Sequence, residues 1–316
     1  MELNKIHNID FLENNLPDKC ANLIIADPPY FEVKGDFDFI WKSFDDYLKD
    51  VEKWAIECKR LLADNGTLFW YGHAKNIAYA QVIFDKHFNL INNLVWDKGS
   101  FMGLEESEGL RSFAPCTERI LMYSVGDDYH DNVRISIKYI QDYLNTITSR
   151  NELAEILLEI GNCRNAESAK QNANNILSQR SAKPQMITEY QYNLLPNPNK
   201  KEYQTLRQEY ETLRRPFTNH FKLQEIFRFS NEASKTGAKY DHDTVKPEKL
   251  TRALILTCSR PNDLVVVPFA GSGTECAMAV KECRKTIGFE ITEEHAKISN
   301  ERVQNILRQP SLFVGS

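Results

Sequence analysis

The stretch Ala21-Asn22-Leu23-Ile24-Ile25-Ala26-Asp27-Pro28-Pro29-Tyr30 decides how this 316-residue chain is read. Its first six residues form a short apolar run, as a buried strand of an α/β sheet requires. A carboxylate, two prolines and an aromatic ring follow at the strand's C-terminal end. In open α/β sheets that end is where ligands bind. Proline has no N–H and fixes φ, so Pro28 and Pro29 end the ladder and hold the loop in one shape. The Asp27 carboxylate and the Pro28 carbonyl are left as acceptors, with Tyr30 as a stacking face. Such a set suits a planar group that carries an amine.

Outward from this strand the chain alternates. Residues 3–30 read as strand–turn–strand. Residues 44–62 have helical spacing, with Tyr47, Leu48, Val51, Trp54, Ala55 and Cys58 on one side, and Asn65-Gly66 is expected to end that helix. Strands are predicted over 67–71, 91–96 and 119–123, and a helix over 76–87. The alternation predicts a mostly parallel sheet covered on both faces. From about Val125 to Tyr240 the chain turns polar and rich in Asn, Gln, Arg, Tyr and Glu. Helices are predicted there over 151–160 and 166–179, around Gly161-Asn162, and over 203–215. The first two have the spacing of a DNA-reading helix pair, though ordinary helix pairs share it. The α/β pattern resumes at Lys246-Pro247, with a helix to Cys258, a strand over 263–267, a helix through Cys283, a strand over 286–290 and a last helix over 293–307.

The second informative element is Pro268-Phe269-Ala270-Gly271-Ser272-Gly273-Thr274, a strand feeding a tight glycine turn that opens a helix. Glycines admit a ligand close to the backbone, and a helix start offers free N–H groups. Glu290, followed by Ile291, ends the next strand, where a carboxylate can accept both hydroxyls of a ribose. This half therefore suits a ligand with an adenosine. The third glycine of a dinucleotide fingerprint is absent, with Cys276 in its place, and no Gly-Lys-Ser/Thr is present.

Composition narrows the class. No apolar run is long enough for a membrane helix, and the N-terminus has no secretory signal pattern. Seven cysteines stand singly, as in a reducing compartment, with no CxxC metal spacing. Net charge is −5, which does not advertise nucleic-acid binding. Residues 129–239 nevertheless hold about 16 basic against about 12 acidic side chains, so the polar insert is more basic than its scaffold.

With these two motifs together, the chain resembles the amino-directed DNA methyltransferases, enzymes that use S-adenosylmethionine to methylate adenine N6 or cytosine N4. In that family Asp27-Pro28-Pro29-Tyr30 corresponds to the catalytic tetrad and Phe269-Ala270-Gly271-Ser272-Gly273 to the cofactor loop. The order here, catalytic motif first and cofactor loop last, is similar to the β class. The resemblance covers residues 5–125 and 240–305. It implies a Rossmann-like fold with a mostly parallel, seven-stranded type of sheet. It divides the chain into a catalytic half (1–127), a mainly helical target-recognition insert (128–239) and a cofactor-binding half (240–316).

The resemblance also assigns residues. Asp10 and Phe11 would sit at the cofactor's adenine, and His242, Thr244 and Lys246 at its methionine end, with Thr244 and Lys246 on the carboxylate. Pro268 to Thr274, Glu290 and Ile291 complete the cofactor set, and no metal is needed. Tyr30 would stack on a base flipped from the duplex, with Phe31 as a helper. Val267 departs from the pattern, because many members carry Asp there to hold the methionine amino group. Asp at the head of the tetrad favours adenine over cytosine by family habit. The implied partner is double-stranded DNA in the cytoplasm of a bacterium or a phage-infected cell, and the resemblance leaves room for a homodimer and a companion restriction endonuclease. A cytosine-N4 enzyme, a DNA-binding protein without catalysis and, from the glycine turn with Glu290, a nicotinamide oxidoreductase are the other readings.

Overall fold

The computed structural model describes residues 1–33, 40–99, 111, 113, 115–125, 137–178, 180, 181, 183–229 and 246–308. Two compact units divide the chain: Met1–Tyr129 with Arg215–Ser316, and His130–Arg214.

The first unit is built on an eight-stranded sheet. In chain order its elements are β1 (Lys5–His7), β2 (Ala21–Ala26), α1 (Phe44–Leu61), β3 (Leu62–Gly72), α2 (Ile77–Phe84), β4 (Asn89–Asp97) and β5 (Thr117–Ser124). The second unit holds α3 (Lys138–Ile147), α4 (Arg150–Glu159), α5 (Ala166–Leu177), α6 (Glu189–Asn193) and α7 (Tyr203–Leu213). The first unit resumes with β6 (Ile226–Arg228), α8 (Glu248–Cys258), β7 (Leu264–Val267), α9 (Thr274–Lys281), β8 (Lys285–Phe289) and α10 (Glu293–Leu307).

The strand order is β1-β8-β7-β2-β3-β5-β4-β6. Every strand runs the same way except β5, which is antiparallel to both β3 and β4. This orientation positions the site. The C-terminal ends of β2, β3, β4, β7 and β8 share one edge of the sheet, and the N-terminal end of the reversed β5 joins them there. Side chains alternate across the sheet with period two. Ile24, Ala26, Leu68, Trp70, Leu121 and Tyr123 face α1 and α2, whereas Leu23, Ile25, Phe69, Tyr71, Ile120, Met122 and Trp96 face the side of α8, α9 and α10.

α1 shows why the local sequence folds as it does. Ser43 accepts a hydrogen bond from the Asp46 N–H, Asp45 and Asp46 occupy the first turn, and Lys59 and Arg60 the last, matching the helix dipole. Tyr47, Val51, Trp54, Ala55, Cys58 and Leu61 are buried along one face.

Several expectations change. Asn65-Gly66 do not end α1; the helix stops at Leu61, and both residues lie inside β3, which starts alongside Ala21 of β2. The sheet has eight strands because β6 adds to β4, with Ile226, Phe227 and Arg228 opposite Val95, Trp96 and Asp97. The compact helical unit accordingly ends at Arg214, earlier than the insert's expected end at 239. A three-residue strand offers no period to read. α3 and α6 are likewise additions to the sequence-based expectation.

The helical unit has a core of its own, including Ile140, Leu144, Leu153, Leu157, Ala173, Ile176, Tyr192 and Leu206. Ser149 with Glu152 and Asn165 with Ser168 form reciprocal caps at the starts of α4 and α5. Lys201 pairs with Glu209 at 2.7 Å, and Lys200 donates to the Asn193 carbonyl. No helix among the described residues is long and apolar enough to cross a membrane.

Candidate active site

β2 and β7 are neighbours in parallel register, with Leu23 opposite Val265 and Ile24 opposite Val266. The loops that follow them, Asp27-Pro28-Pro29-Tyr30 and Pro268 to Gly273, therefore leave adjacent strands at the same end of the sheet. That shared edge is the requirement for one group to pass between two bound molecules.

At the Asp27 loop, the Asp27 side chain is 22% exposed and both of its oxygens are engaged. Oδ1 accepts from the Tyr30 hydroxyl, and Oδ2 pairs with Lys246 Nζ at 2.7 Å. Asn76, buried at the start of α2, donates to the carbonyls of Tyr30 (2.5 Å) and Phe31 (3.1 Å). The bonds hold a turn in which Phe31 and Glu32 take left-handed φ values of 48° and 51°. The turn sends neighbouring rings to opposite faces. Tyr30 stays on the α8–α9 side, and Phe31 packs against Trp41, Phe44 and Tyr47. Phe31 is therefore a core anchor and not the stacking helper expected of it.

Lys246 is the hub of a buried charge cluster. Besides Asp27, its Nζ lies 3.1 Å from Glu118 Oε2, and Glu118 Oε1 bonds Lys98. Lys246 and Glu118 are both 6% exposed, and the Tyr71, Tyr30 and Trp96 rings surround Nζ at 5.0, 5.6 and 5.8 Å from their centres. Burial opposes the charge on Lys246, but the two carboxylates outweigh it and hold the ammonium above its ordinary range. Burial likewise opposes the charge on Glu118, and Lys246 with Lys98 drives its carboxyl below the usual range. Burial, then the Asp27 and Glu118 charges, pushes the Tyr30 phenol well up, so it stays a donor. Glu275, in the first turn of α9, is buried. Burial and then the Asp27 charge push it up to about 7, and its Oε1 has no hydrogen-bond partner among the described residues.

The glycine loop is held by backbone. The Ala270 N–H donates to the Phe289 carbonyl, the Gly273 N–H to Ala270 (2.7 Å), and the Gly271 N–H to Glu290 Oε2 (2.9 Å). Ser299 Oγ donates to the Gly271 carbonyl, while Arg302 reaches the Ser272 carbonyl and Thr274 Oγ1. Gly271 and Gly273 have φ of 46° and 71°, and a Cβ on Gly273 would come within 2.7 Å of Ser299 Cβ. Phe269 packs edge-on to Trp54. The Thr292 N–H donates to the other oxygen of Glu290, which aims the carboxylate while leaving lone pairs on both oxygens. Ile291 beside it is 70% exposed.

Other expected residues fall as follows. Asp10 caps the short 3₁₀ turn Phe11–Glu13 by accepting from the Leu12 N–H at 2.8 Å. Phe11 is 2% exposed between Phe269 and Phe289, so its ring supports the loop from beneath. Val267 is buried among apolar side chains. His242 and Thr244 lie outside the described residues. Lys246 stands on Asp27, whereas the family resemblance places it on a cofactor carboxylate. Glu118, Lys98, Glu275 and Asn76 were not anticipated. The signal for Glu118 was there to find: it is a lone acid in the otherwise buried-strand pattern Thr117 to Ser124.

A family model described as DNA methylase, for N6 and N4 enzymes, matches residues 21–301. The chain is 26% identical over 315 residues to Type II methyltransferase M1.MboII of Moraxella bovis, covering 95% of this chain and 96% of that one. It is 27% identical over 294 residues to DNA adenine methyltransferase YhdJ of Escherichia coli (strain K12), covering 91% and 78%. In fold it is similar to TTHA0409 of Thermus thermophilus, solved with S-adenosyl-L-methionine. That match has a TM-score of 0.53 and 17% identity over 99% of both chains.

Proposed function

Because this chain belongs to the N6/N4 DNA methylase family, we propose that it methylates the N6 amine of an adenine turned out of duplex DNA, with S-adenosylmethionine as the donor. The observation that carries the reading is the β2–β7 pairing, which brings the Asp27 loop and the glycine loop to one sheet edge. The adenine preference rests on the aspartate at position 27 and on the likeness to an adenine methyltransferase.

The residues present fit the donor. Glu290 is already oriented by two backbone N–H groups and would accept the ribose hydroxyls. Ile291 would lie against the adenine. When bound, S-adenosylmethionine supplies a methyl group on a positively charged sulfur.

The rest is done by the chain. An exocyclic amine is a weak nucleophile because its lone pair is delocalised into the ring. Asp27 and the Pro28 carbonyl would accept its two N–H bonds and free that lone pair. The carboxylate makes the stronger, charge-assisted bond, and it stabilises the positive charge that grows on nitrogen. The Tyr30 hydroxyl fixes the rotation of Asp27, and the ring of Tyr30 would meet the turned-out base. The remaining contribution is alignment of amine and methyl, which rigid Pro28 and Pro29 favour.

The test is incubation with labelled S-adenosylmethionine and amplified, hence unmodified, bacterial DNA, followed by nucleoside analysis. Label in N6-methyldeoxyadenosine is the expected result. Label in N4-methyldeoxycytidine would move the target to cytosine, and an unlabelled digest would overturn the reading.

A further inference from the structure

We propose that Glu118 is a positioning residue for methyl transfer, the counter-ion that keeps Lys246 in place while Asp27 serves the target amine. The inference rests on the methylase reading above.

In the structure each oxygen of Asp27 already has a partner: Tyr30 donates to one, and Lys246 pairs with the other at 2.7 Å. A target amine must take its place on this carboxylate. As the nitrogen–methyl bond forms and the methyl–sulfur bond breaks, releasing S-adenosylhomocysteine, the amine nitrogen is cationic until one of its protons leaves to water, and the Lys246 ammonium on the same carboxylate would repel it. Asp27 therefore has to pass from the lysine to the amine.

A buried ammonium cannot simply be abandoned, because an unpaired charge away from water is strongly disfavoured. Lys246 is 6% exposed and needs a second acid within reach. Glu118 is that acid, 3.1 Å from Nζ and equally buried. The reversal of β5 puts it there, since Glu118 lies near the strand's start, opposite Trp96 and at the site's edge. The Tyr71 and Trp96 rings favour the cation in the same spot. Lys98 takes the other oxygen of Glu118, so two acids and two lysines balance before the amine arrives. With Glu118 present, Lys246 keeps a partner after release. Without it, Asp27 is the one carboxylate among the described residues within ion-pair distance of Lys246, which stays there, in competition with the amine.

The experiment is a cycle of variants assayed on amplified, unmodified bacterial DNA at saturating S-adenosylmethionine, with folding followed by thermal melting. Glu118→Gln is expected to lower kcat at least tenfold. In the Lys246→Gln background, where no ammonium holds Asp27 back, adding Glu118→Gln is expected to leave kcat unchanged within about twofold, and the double variant to exceed Glu118→Gln alone. A merely structural Glu118 would not be rescued by removing Lys246. Wild-type kcat in Glu118→Gln would overturn the proposal, as would a double variant slower than Lys246→Gln. If Glu118→Gln does not fold, the Lys246→Gln pair of measurements still decides. A wild type that transfers no methyl to any DNA would instead overturn the methylase reading, before any variant is made.

Discussion

The two ends of the site are built from different materials. At the glycine loop nearly every polar contact involves the backbone: Ala270 to Phe289, Gly273 to Ala270, Gly271 to Glu290, Ser299 to Gly271. At the tetrad, apart from Asn76 on the Tyr30 carbonyl, the contacts are between charged or phenolic side chains, Asp27 with Tyr30 and Lys246, and Lys246 with Glu118. A backbone cradle is set once the strands pair, so it is ready before any ligand comes. A cluster of side chains in mutual contact is satisfied without a ligand and has to exchange partners to work. The first arrangement suits tight, constant binding, and the second suits a step that must be switched on.

The sharpest way to break this contrast is Asp27→Ala. Methyl transfer is expected to fall by on the order of 100- to 1000-fold, as when a principal transition-state contact is removed. Affinity for S-adenosylhomocysteine, measured by calorimetry, should stay within about threefold. An equal loss of both would mean that the two ends are one unit.

Glu275 links the ends, since it rises from the glycine loop yet feels the Asp27 charge. Its carboxyl, pushed up to about 7 by burial, holds its proton in the folded protein after the unfolded chain has released it near 4.5. Stability is therefore lost as pH rises from about 4.5 to 7, and the full penalty is present above that. Glu275→Gln should remove it, raising stability at pH 8 by roughly 3 kcal/mol and leaving it nearly unchanged at pH 4. Paired denaturation curves at the two pH values check this, and parallel shifts would mean that Glu275 is not the titrating group.

Gly273→Ala probes the cradle. The new Cβ meets Ser299 at 2.7 Å and sits at a positive φ, so a loss of about 2 kcal/mol in stability is expected. Ser299→Gly in the same chain should recover the steric share and not the backbone share. Smallest is Glu290→Gln, which keeps the shape and removes the charge. It should weaken S-adenosylhomocysteine binding about tenfold, a cost of about 1.4 kcal/mol, with kcat at saturation little changed. A drop in kcat there would give Glu290 a part at the catalytic end.

Much of the fold could be read from short-range pattern. The strand ending at Asp27, the glycine turn and the helices from Phe44 and Glu293 each announce themselves within a dozen residues. β6, three residues long, carries too little periodicity and exists only because β4 offers an open edge. Phe31 is easily misread because the sequence shows an aromatic beside the tetrad and not the left-handed turn that swings it to the opposite face. The lysine and glutamate of the charge cluster stand in unremarkable contexts, separated from Asp27 by 219 and 91 positions in the chain.

By itself the sequence determined which residues end the strands and therefore which chemistry stands at the sheet's edge, because burial period and the rigidity of proline and glycine act locally. The tertiary structure alone decided who holds Asp27. Pairing between buried charges depends on strand order and direction, and the reversal of one strand, β5, carries Glu118 to the edge where Lys246 needs it.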